Sequence, residues 1–157
     1  MSGSRPSRGM LDTNILILRR QIDQGELPEE MAISAITLAE LSAGLHQVRR
    51  SNEQDAYDEH AERARRLENL QRAESEFDPV PFGAEAARVY GRVIAAVVAA
   101  GRQPRRRVAD LMIAATAIAE GLDLYTTNPA DFAGLERLTK IIPVTRVPDL
   151  SGPPSRG

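Results

Sequence analysis

Residues 9–14 read Gly-Met-Leu-Asp-Thr-Asn, a short apolar run that ends on an acidic residue and leads into a helical pattern. The apolar run predicts a buried β-strand, and the polar residues after it predict the turn into a first helix. Outward from this segment, short strand-like runs alternate with longer helical patterns along the chain. Such alternation indicates an α/β fold with a mostly parallel sheet.

The same patterns predict about five short strands and five helices. We expect the strands at 9–12, 32–35, 79–82, 122–126 and 141–144, and the helices at 14–23, 37–48, 52–76, 84–100 and 108–120. The strand at 79–82 has the weakest pattern. Pro143 indicates that the last strand lies at a sheet edge or ends there, and Gly121 is typical of the residue that closes a helix.

Length and composition predict one folded domain. The chain has 157 residues, 42% of them hydrophobic, which suffices for one ordinary core. Residues 1–9 and 148–157 are rich in Ser, Gly, Pro and Arg, so we expect disordered tails on either side of a domain at 10–147. No apolar run approaches the roughly 18 to 20 residues of a membrane span. We therefore expect a cytoplasmic protein without membrane contact.

Charge and reactive residues exclude several classes of function. A formal net charge of −2 argues against indiscriminate nucleic-acid binding, so a polyanion would need a local basic patch. The absence of cysteine excludes disulfides, thiolate metal sites and cysteine nucleophiles, and it is compatible with a reducing compartment. The two histidines, His46 and His60, are too few for a histidine-rich zinc site, and we expect both on the solvated surface.

Three acidic residues fall where an α/β fold exposes its functional edge. Asp12 ends the first predicted strand, Glu40 lies near the start of a helix, and Asp110 begins the helix before the fourth strand. The carboxyl ends of parallel strands and the adjoining helix starts converge on one crevice, so these residues can meet there. Grouped carboxylates repel one another unless a cation lies among them, and hard oxygen ligands favour Mg²⁺ or Mn²⁺ over zinc.

Each acidic residue also has a structural interpretation. Thr37 and Glu40 have the spacing of a capping box, in which two side chains close the start of a helix. Asp12 has the position of an N-cap, and Asp110 that of a carboxylate stabilising the positive end of a helix dipole. The polar run 126–132 adds Asn128 and Asp131, of which Asp131 suits either a cap or a ligand.

Four motifs together resemble the PIN-domain ribonucleases, and specifically the VapC-type toxins of type II toxin–antitoxin systems. The resemblance covers about residues 10–147 and implies a three-layer α/β/α PIN-like fold. It implies a Mg²⁺-dependent endoribonuclease, with Mn²⁺ as a substitute, that leaves 5′-phosphate and 3′-hydroxyl ends. Asp12, Glu40 and Asp110 fall on the acidic positions of the family, as catalytic and metal-binding residues. The motifs are Met10-Leu-Asp-Thr-Asn14, Ile36-Thr-Leu-Ala-Glu-Leu41, Asp110-Leu-Met-Ile-Ala-Ala115 and Thr126-Thr-Asn-Pro-Ala-Asp-Phe132.

The resemblance also implies accessory residues and partners. Thr13 would orient a metal-bound water, and Asn128 stands where many relatives carry an acid, so Asn128 or Asp131 would complete a site for one or two metal ions. The implied partners are RNA, a cognate antitoxin that covers the acidic groove, and a second copy of the chain. Because Asn128 has no charge at this position, a second function stays open: a catalytically weak PIN-like binding module that keeps antitoxin contact. Separately, the basic run Arg105-Arg106-Arg107, just before the Asp110 helix, could contact RNA phosphates or be a solvated charge run.

Overall fold

A computed structural model describes residues 7–50 and 57–147. Within these ranges the protein has four strands, all parallel, in the spatial order β2-β1-β3-β4. The strands are β1 (Arg8–Leu11), β2 (Glu30–Ala32), β3 (Asp123–Thr126) and β4 (Ile141–Pro143). The α-helices of the same ranges are α1 (Thr13–Ile17), α2 (Ala35–Gly44), α3 (Glu59–Glu76), α4 (Ala84–Ala99) and α5 (Val108–Ala119).

The sheet is buried on both faces, which makes three layers. Met10 and Leu124 pack with α4 and α5 on one side of the sheet, in a core cluster that also contains Phe132. Leu11 and Tyr125, one residue further along the same strands, pack on the other side with residues of α1, α2 and α3. Successive strand residues point to opposite faces, so each strand serves both cores. The predicted α/β/α architecture is confirmed.

The predicted fifth strand at 79–82 is reduced to one parallel bridge. Val80 pairs with Ser34 only, through hydrogen bonds that join Val80 to the backbone of Ile33 and Ala35 at 2.8 Å each. Pro79 and Pro81 flank Val80 and have no N–H to donate, so the ladder cannot continue in either direction. The predicted strand at 32–35 is also shifted, since β2 ends at Ala32.

The first helix is shorter than predicted. The pattern at 14–23 predicts one helix, but α1 ends at Ile17 and a 3₁₀ turn follows at Arg19–Gln21. The turn brings Ile22 into the core on the side of the sheet that contains Leu11 and Tyr125. There Ile22 forms an antiparallel β-bridge with Arg146. Burial of Ile22 therefore overrides the local helical pattern.

The other helix boundaries differ less from the structure. The helix predicted at 37–48 lies at Ala35–Gly44, and the one predicted at 52–76 begins at Glu59 in the described part of the chain. The predicted tail at 1–9 overlaps β1, because Arg8 pairs with Glu30 across the sheet. Residues 1–6, 51–56 and 148–157 lie outside the described residues. In the described ranges, no helix combines the length and the apolar character needed to cross a bilayer.

Two glycines have roles that another residue would not fill easily. A Cβ atom on Gly9 would lie 2.2 Å from the ring of Tyr125 on the neighbouring strand, so this close approach requires glycine. Gly121 follows α5 with a φ of 67°. Its N–H donates to Ile118, and the next N–H donates to Ala117, which is the Schellman closure expected of a glycine after a helix.

Candidate active site

Asp12 is the buried centre of a polar cluster at the carboxyl edge of the sheet. It follows β1 directly and is 2% exposed. Its Oδ1 accepts a hydrogen bond from the backbone N–H of Thr13 at 2.9 Å, which makes Asp12 the N-cap of α1. Its Oδ2 accepts from the Thr126 hydroxyl at 3.0 Å, at the end of β3. The carboxylate is therefore held in one orientation by the start of α1 and the end of β3.

Glu40 is fixed by a hydroxyl from the first helix. The Thr13 hydroxyl donates to Glu40 Oε1 at 2.6 Å, and the Thr37 hydroxyl lies 3.0 Å from the same Thr13 oxygen. The capping-box interpretation of Thr37 and Glu40 is wrong, because α2 begins at Ala35 and Ser34 caps it. Both side chains are thus inside the helix and free to face the cluster.

Asp110 and Asp131 complete the acidic side of the cluster, with one arginine between them. Asp110 lies in the first turn of α5, and Asp131 lies in the 3₁₀ turn Pro129–Phe132. Arg107 forms an ion pair with Asp131, and its guanidinium is 3.7 Å from Asp110 Oδ2. Arg107 therefore offsets part of the negative charge.

These side chains open onto one cavity of about 430 Å³. Five carboxylates line it, and one of them lies on a face of α3 that also carries two arginines and an asparagine. The position of α3 at the site was not among the predictions, although spacings of three and four residues place Glu62, Arg65, Arg66 and Asn69 on one helical face. The lining carboxylates are those of Asp12, Glu40, Glu62, Asp110 and Asp131.

Burial and mutual repulsion raise the pKa values at this site. Burial raises the pKa of Asp12 to about 6, and the charge of Asp110 is the second cause. The hydrogen bonds from Thr126 and Thr13 act in the opposite direction. Burial also raises the pKa of Asp110, with the charges of Asp131 and Glu40 adding to the effect and Arg107 opposing it. Ionised carboxylates at this site therefore cost free energy, and a bound cation would remove that cost.

Comparison with known proteins identifies the family. The model of the family described as "PIN domain" matches residues 10–138. The chain belongs to the PIN-domain family. Ribonuclease VapC5 of Mycobacterium tuberculosis is 32% identical over 134 residues, which cover 83% of this chain and 90% of that protein. Ribonuclease VapC1 of Rickettsia felis is 31% identical over 144 residues, covering 83% and 94% of the two chains.

A solved structure supports the same grouping. The crystal structure of VapBC-5 from M. tuberculosis, a member of the VapBC family of toxin–antitoxin systems, contains a chain with 32% sequence identity and a TM-score of 0.72. The match covers 88% of this chain and all of that chain. Together with the two ribonuclease relatives, it places this chain among the VapC-type PIN domains.

The donor atoms of this PIN domain fit a hydrated magnesium ion better than a dry metal cage. In residues 7–50 and 57–147, no three Asp, Glu or His side chains are arranged to hold one ion by themselves. Mg²⁺ usually takes one or two carboxylates and keeps several waters, so it does not need such a cage. Asp12 and Asp110 supply hard oxygen donors on the same cavity, and burial, followed by the charges of neighbouring carboxylates, raises the pKa of both groups.

Some of the predicted residues lie away from this cavity. Asn128 is exposed and is not among the lining residues, while its backbone N–H donates to the Thr126 hydroxyl. Asp131, three residues later, faces the cavity instead. Arg105 and Arg106 are exposed outside the acidic cavity, so of the basic run only Arg107 contacts the carboxylates. His46 and His60 are exposed, as predicted.

Proposed function

We propose that this PIN domain is a Mg²⁺-dependent endoribonuclease toxin that acts on cytoplasmic RNA and is neutralised by a cognate antitoxin. The observation that carries the proposal is the convergence of Asp12, Glu40 and Asp110, distant in sequence, on one open cavity. The names of the VapC relatives, which are ribonucleases, and of the similar toxin–antitoxin structure agree with it.

In this proposal Asp12 and Asp110 would hold Mg²⁺, or Mn²⁺ in its place, and Glu40 and Asp131 would complete the site from the same cavity. The bound ion supplies positive charge that neutralises the phosphate and lowers the pKa of a water molecule for in-line hydrolysis. Thr13 acts by fixing Glu40, because its hydroxyl proton is committed to Glu40 Oε1. Arg107 keeps Asp131 turned towards the cavity by pairing with it.

The proposed partners are an antitoxin and a second copy of the chain. Five carboxylates line the cavity against two lining arginines and Arg107, which pairs with Asp131, so an excess of negative charge remains that attracts a cationic side chain. An antitoxin segment with an arginine or lysine would therefore bind where RNA and Mg²⁺ bind, which is how it would inhibit. Size-exclusion chromatography with light scattering of the toxin alone, and of the toxin with its antitoxin, tests both partners.

A catalytically weak binding module is the less favoured function. That alternative depended on Asn128 replacing a carboxylate of the site. Because Asn128 is exposed outside the cavity and Asp131 lines it, the cavity keeps a fourth acid besides Asp12, Glu40 and Asp110. The departure at Asn128 therefore gives no reason to expect lost catalysis.

Cleavage of total cellular RNA tests the proposal directly. Purified protein is incubated with RNA and Mg²⁺, and new 5′ ends are mapped by sequencing. We expect discrete, EDTA-sensitive cleavage that disappears in Asp110→Asn and persists in Asp78→Asn, a matched change at an exposed position outside the cavity. Cleavage by Asp110→Asn at the unmodified rate would refute the assigned site.

A further inference from the structure

Two arginine-lined cavities adjoin the acidic cavity, because each shares lining residues with it. A cavity of about 490 Å³ shares Asp131 with it and is lined by Arg102, Arg106 and Arg107. A cavity of about 380 Å³ shares Ile17, Arg65 and Asn69 with it; we call it the α1–α3 groove. The arginines lining the α1–α3 groove are Arg19, Arg20, Arg65, Arg72 and Arg146.

The α1–α3 groove keeps positive charge after its own ion pairs are counted. Arg20 and Arg72 share the single carboxylate of Glu68, at 2.9 Å each. Arg146 bonds the neutral amide of Gln21, so its charge is not offset there. Arg19 and Arg65 are different, because each pairs with a carboxylate outside the groove: Arg19 is 16% exposed and makes two hydrogen bonds to Glu76, and Arg65 forms an ion pair with Glu62. Arg20, Arg72 and Arg146 thus carry three positive charges against the one carboxylate of Glu68, and theirs is the charge that a ligand can use.

We propose that the α1–α3 groove binds the sugar–phosphate backbone of the RNA on one side of the cleaved bond. The inference rests on the proposed function and extends it from the cavity to the path of the strand. An endonuclease cuts inside a chain, so the strand must leave the acidic cavity at both ends. Carboxylates repel the flanking phosphates, whereas arginine grooves at both exits attract them.

The adjacency of the acidic cavity and the arginine-lined cavities favours RNA over an acidic protein segment. An acidic peptide would also be attracted by Arg20, Arg72 and Arg146, but it would be repelled by the carboxylates of the adjoining cavity. A nucleic-acid strand instead places one phosphate at the metal and the next ones on arginines. The net charge of −2 conceals this local basic path.

The test measures binding of a fluorescent 12-nucleotide single-stranded RNA in EDTA, where no metal-dependent cleavage occurs. The groove variant is Arg20→Gln/Arg72→Gln/Arg146→Gln. The control variant is Arg8→Gln/Arg63→Gln/Arg92→Gln, which removes the same charge from exposed positions outside the three cavities. Circular dichroism melting checks both folds, since exposed ion pairs contribute little to stability.

We expect the dissociation constant of the groove variant to rise on the order of tenfold to a hundredfold at 100 mM salt, with less than about a threefold change in the control. Each lost phosphate contact on a single strand reduces the slope of log affinity against log salt by about 0.7, so three lost contacts reduce it by about 2. The reciprocal change Glu68→Gln removes the carboxylate of the groove and should tighten RNA binding severalfold, whereas Glu74→Gln should not.

Three outcomes would overturn the inference: no RNA binding by the unmodified protein, equal RNA affinity of the groove and control variants, or failure of Glu68→Gln to tighten binding. Unchanged RNA affinity with lost binding of poly-L-glutamate would assign the groove to an acidic protein segment instead. The assay needs no turnover, so it separates the two proposals. A protein that binds RNA through the groove without cleaving it would refute the proposed catalysis and keep the groove.

Discussion

Replacing Asp12 by asparagine should stabilise the metal-free protein while abolishing cleavage. Asp12 is 2% exposed, and burial together with Asp110 raises its pKa from the ordinary value of 3.8 to about 6. The unfolded chain therefore releases this proton more readily than the folded protein, and ionisation of Asp12 opposes folding. Asparagine approximates the neutral carboxyl in shape and avoids that cost.

The magnitude follows from the change in pKa. Each pKa unit is worth about 1.4 kcal/mol, so the destabilisation from ionised Asp12 is about 3 kcal/mol above pH 6. As the pH falls through 6 towards 3.8 the destabilisation is progressively removed, and below 3.8 it is absent. Asp12→Asn should thus gain about 3 kcal/mol at pH 8, which is roughly 6 to 12 °C in Tm for a domain of this size, and almost nothing at pH 3.5.

Urea denaturation in EDTA at pH 8, 6 and 3.5 measures this difference between Asp12→Asn and the unmodified protein. Asp78→Asn is the matched control at an exposed position, and it should change the free energy of unfolding by less than about 0.5 kcal/mol at each pH. A loss of stability in Asp12→Asn at pH 8 would refute the reasoning, because it would mean that the hydrogen bonds to Thr13 and Thr126 outweigh the cost of the buried charge. EDTA-sensitive cleavage by the variant at the unmodified rate would separately refute the catalytic role.

Three further predictions concern the site and its frame. Asp131→Asn should weaken Mn²⁺ binding severalfold, as measured by calorimetric titration. Asn128→Asp should change the Mn²⁺ affinity by less than about twofold, because that side chain is solvent-exposed and screened. A larger effect at Asn128 than at Asp131 would mean that Asn128 belongs to the site. Thr13→Val should lower the free energy of unfolding by about 1–2 kcal/mol and cleavage roughly tenfold or more, and Thr13→Ser should restore both; equal rates for Val and Ser would contradict a positioning role. Gly9→Ala should cost about 1–3 kcal/mol in chemical denaturation, since its Cβ would overlap a buried tyrosine ring, whereas Gly91→Ala in an open part of α4 should gain about 0.5–1 kcal/mol.

The convergence of the acids was predictable because it follows from topology. Parallel strands end at one edge of the sheet, so the positions of Asp12 after β1 and Asp110 at the start of α5 follow from the strand and helix patterns alone. The role of Thr37 did not follow, because local spacing suggested a cap. Ser34 takes the cap, and Thr37 contacts Thr13, which is 24 residues away in sequence.

The remaining differences arise from turns whose geometry the residue types do not determine. The 3₁₀ turn after β3 exposes Asn128 and directs Asp131 to the cavity. The basic run has three adjacent arginines, and only the backbone of the turn into α5 decides that Arg107 reaches the carboxylates. To predict that α3 lines the cavity, one would need to know which face of this highly charged helix is turned inward.

Prolines lie at both outer edges of the sheet. Beyond β2 the pairing stops after Val80, between Pro79 and Pro81, and on the other side β4 ends on Pro143. A strand of another molecule that approached at these positions would meet prolines, which have no N–H to donate. Prolines at sheet edges oppose the addition of further strands, so they act here against edge-to-edge association of two molecules.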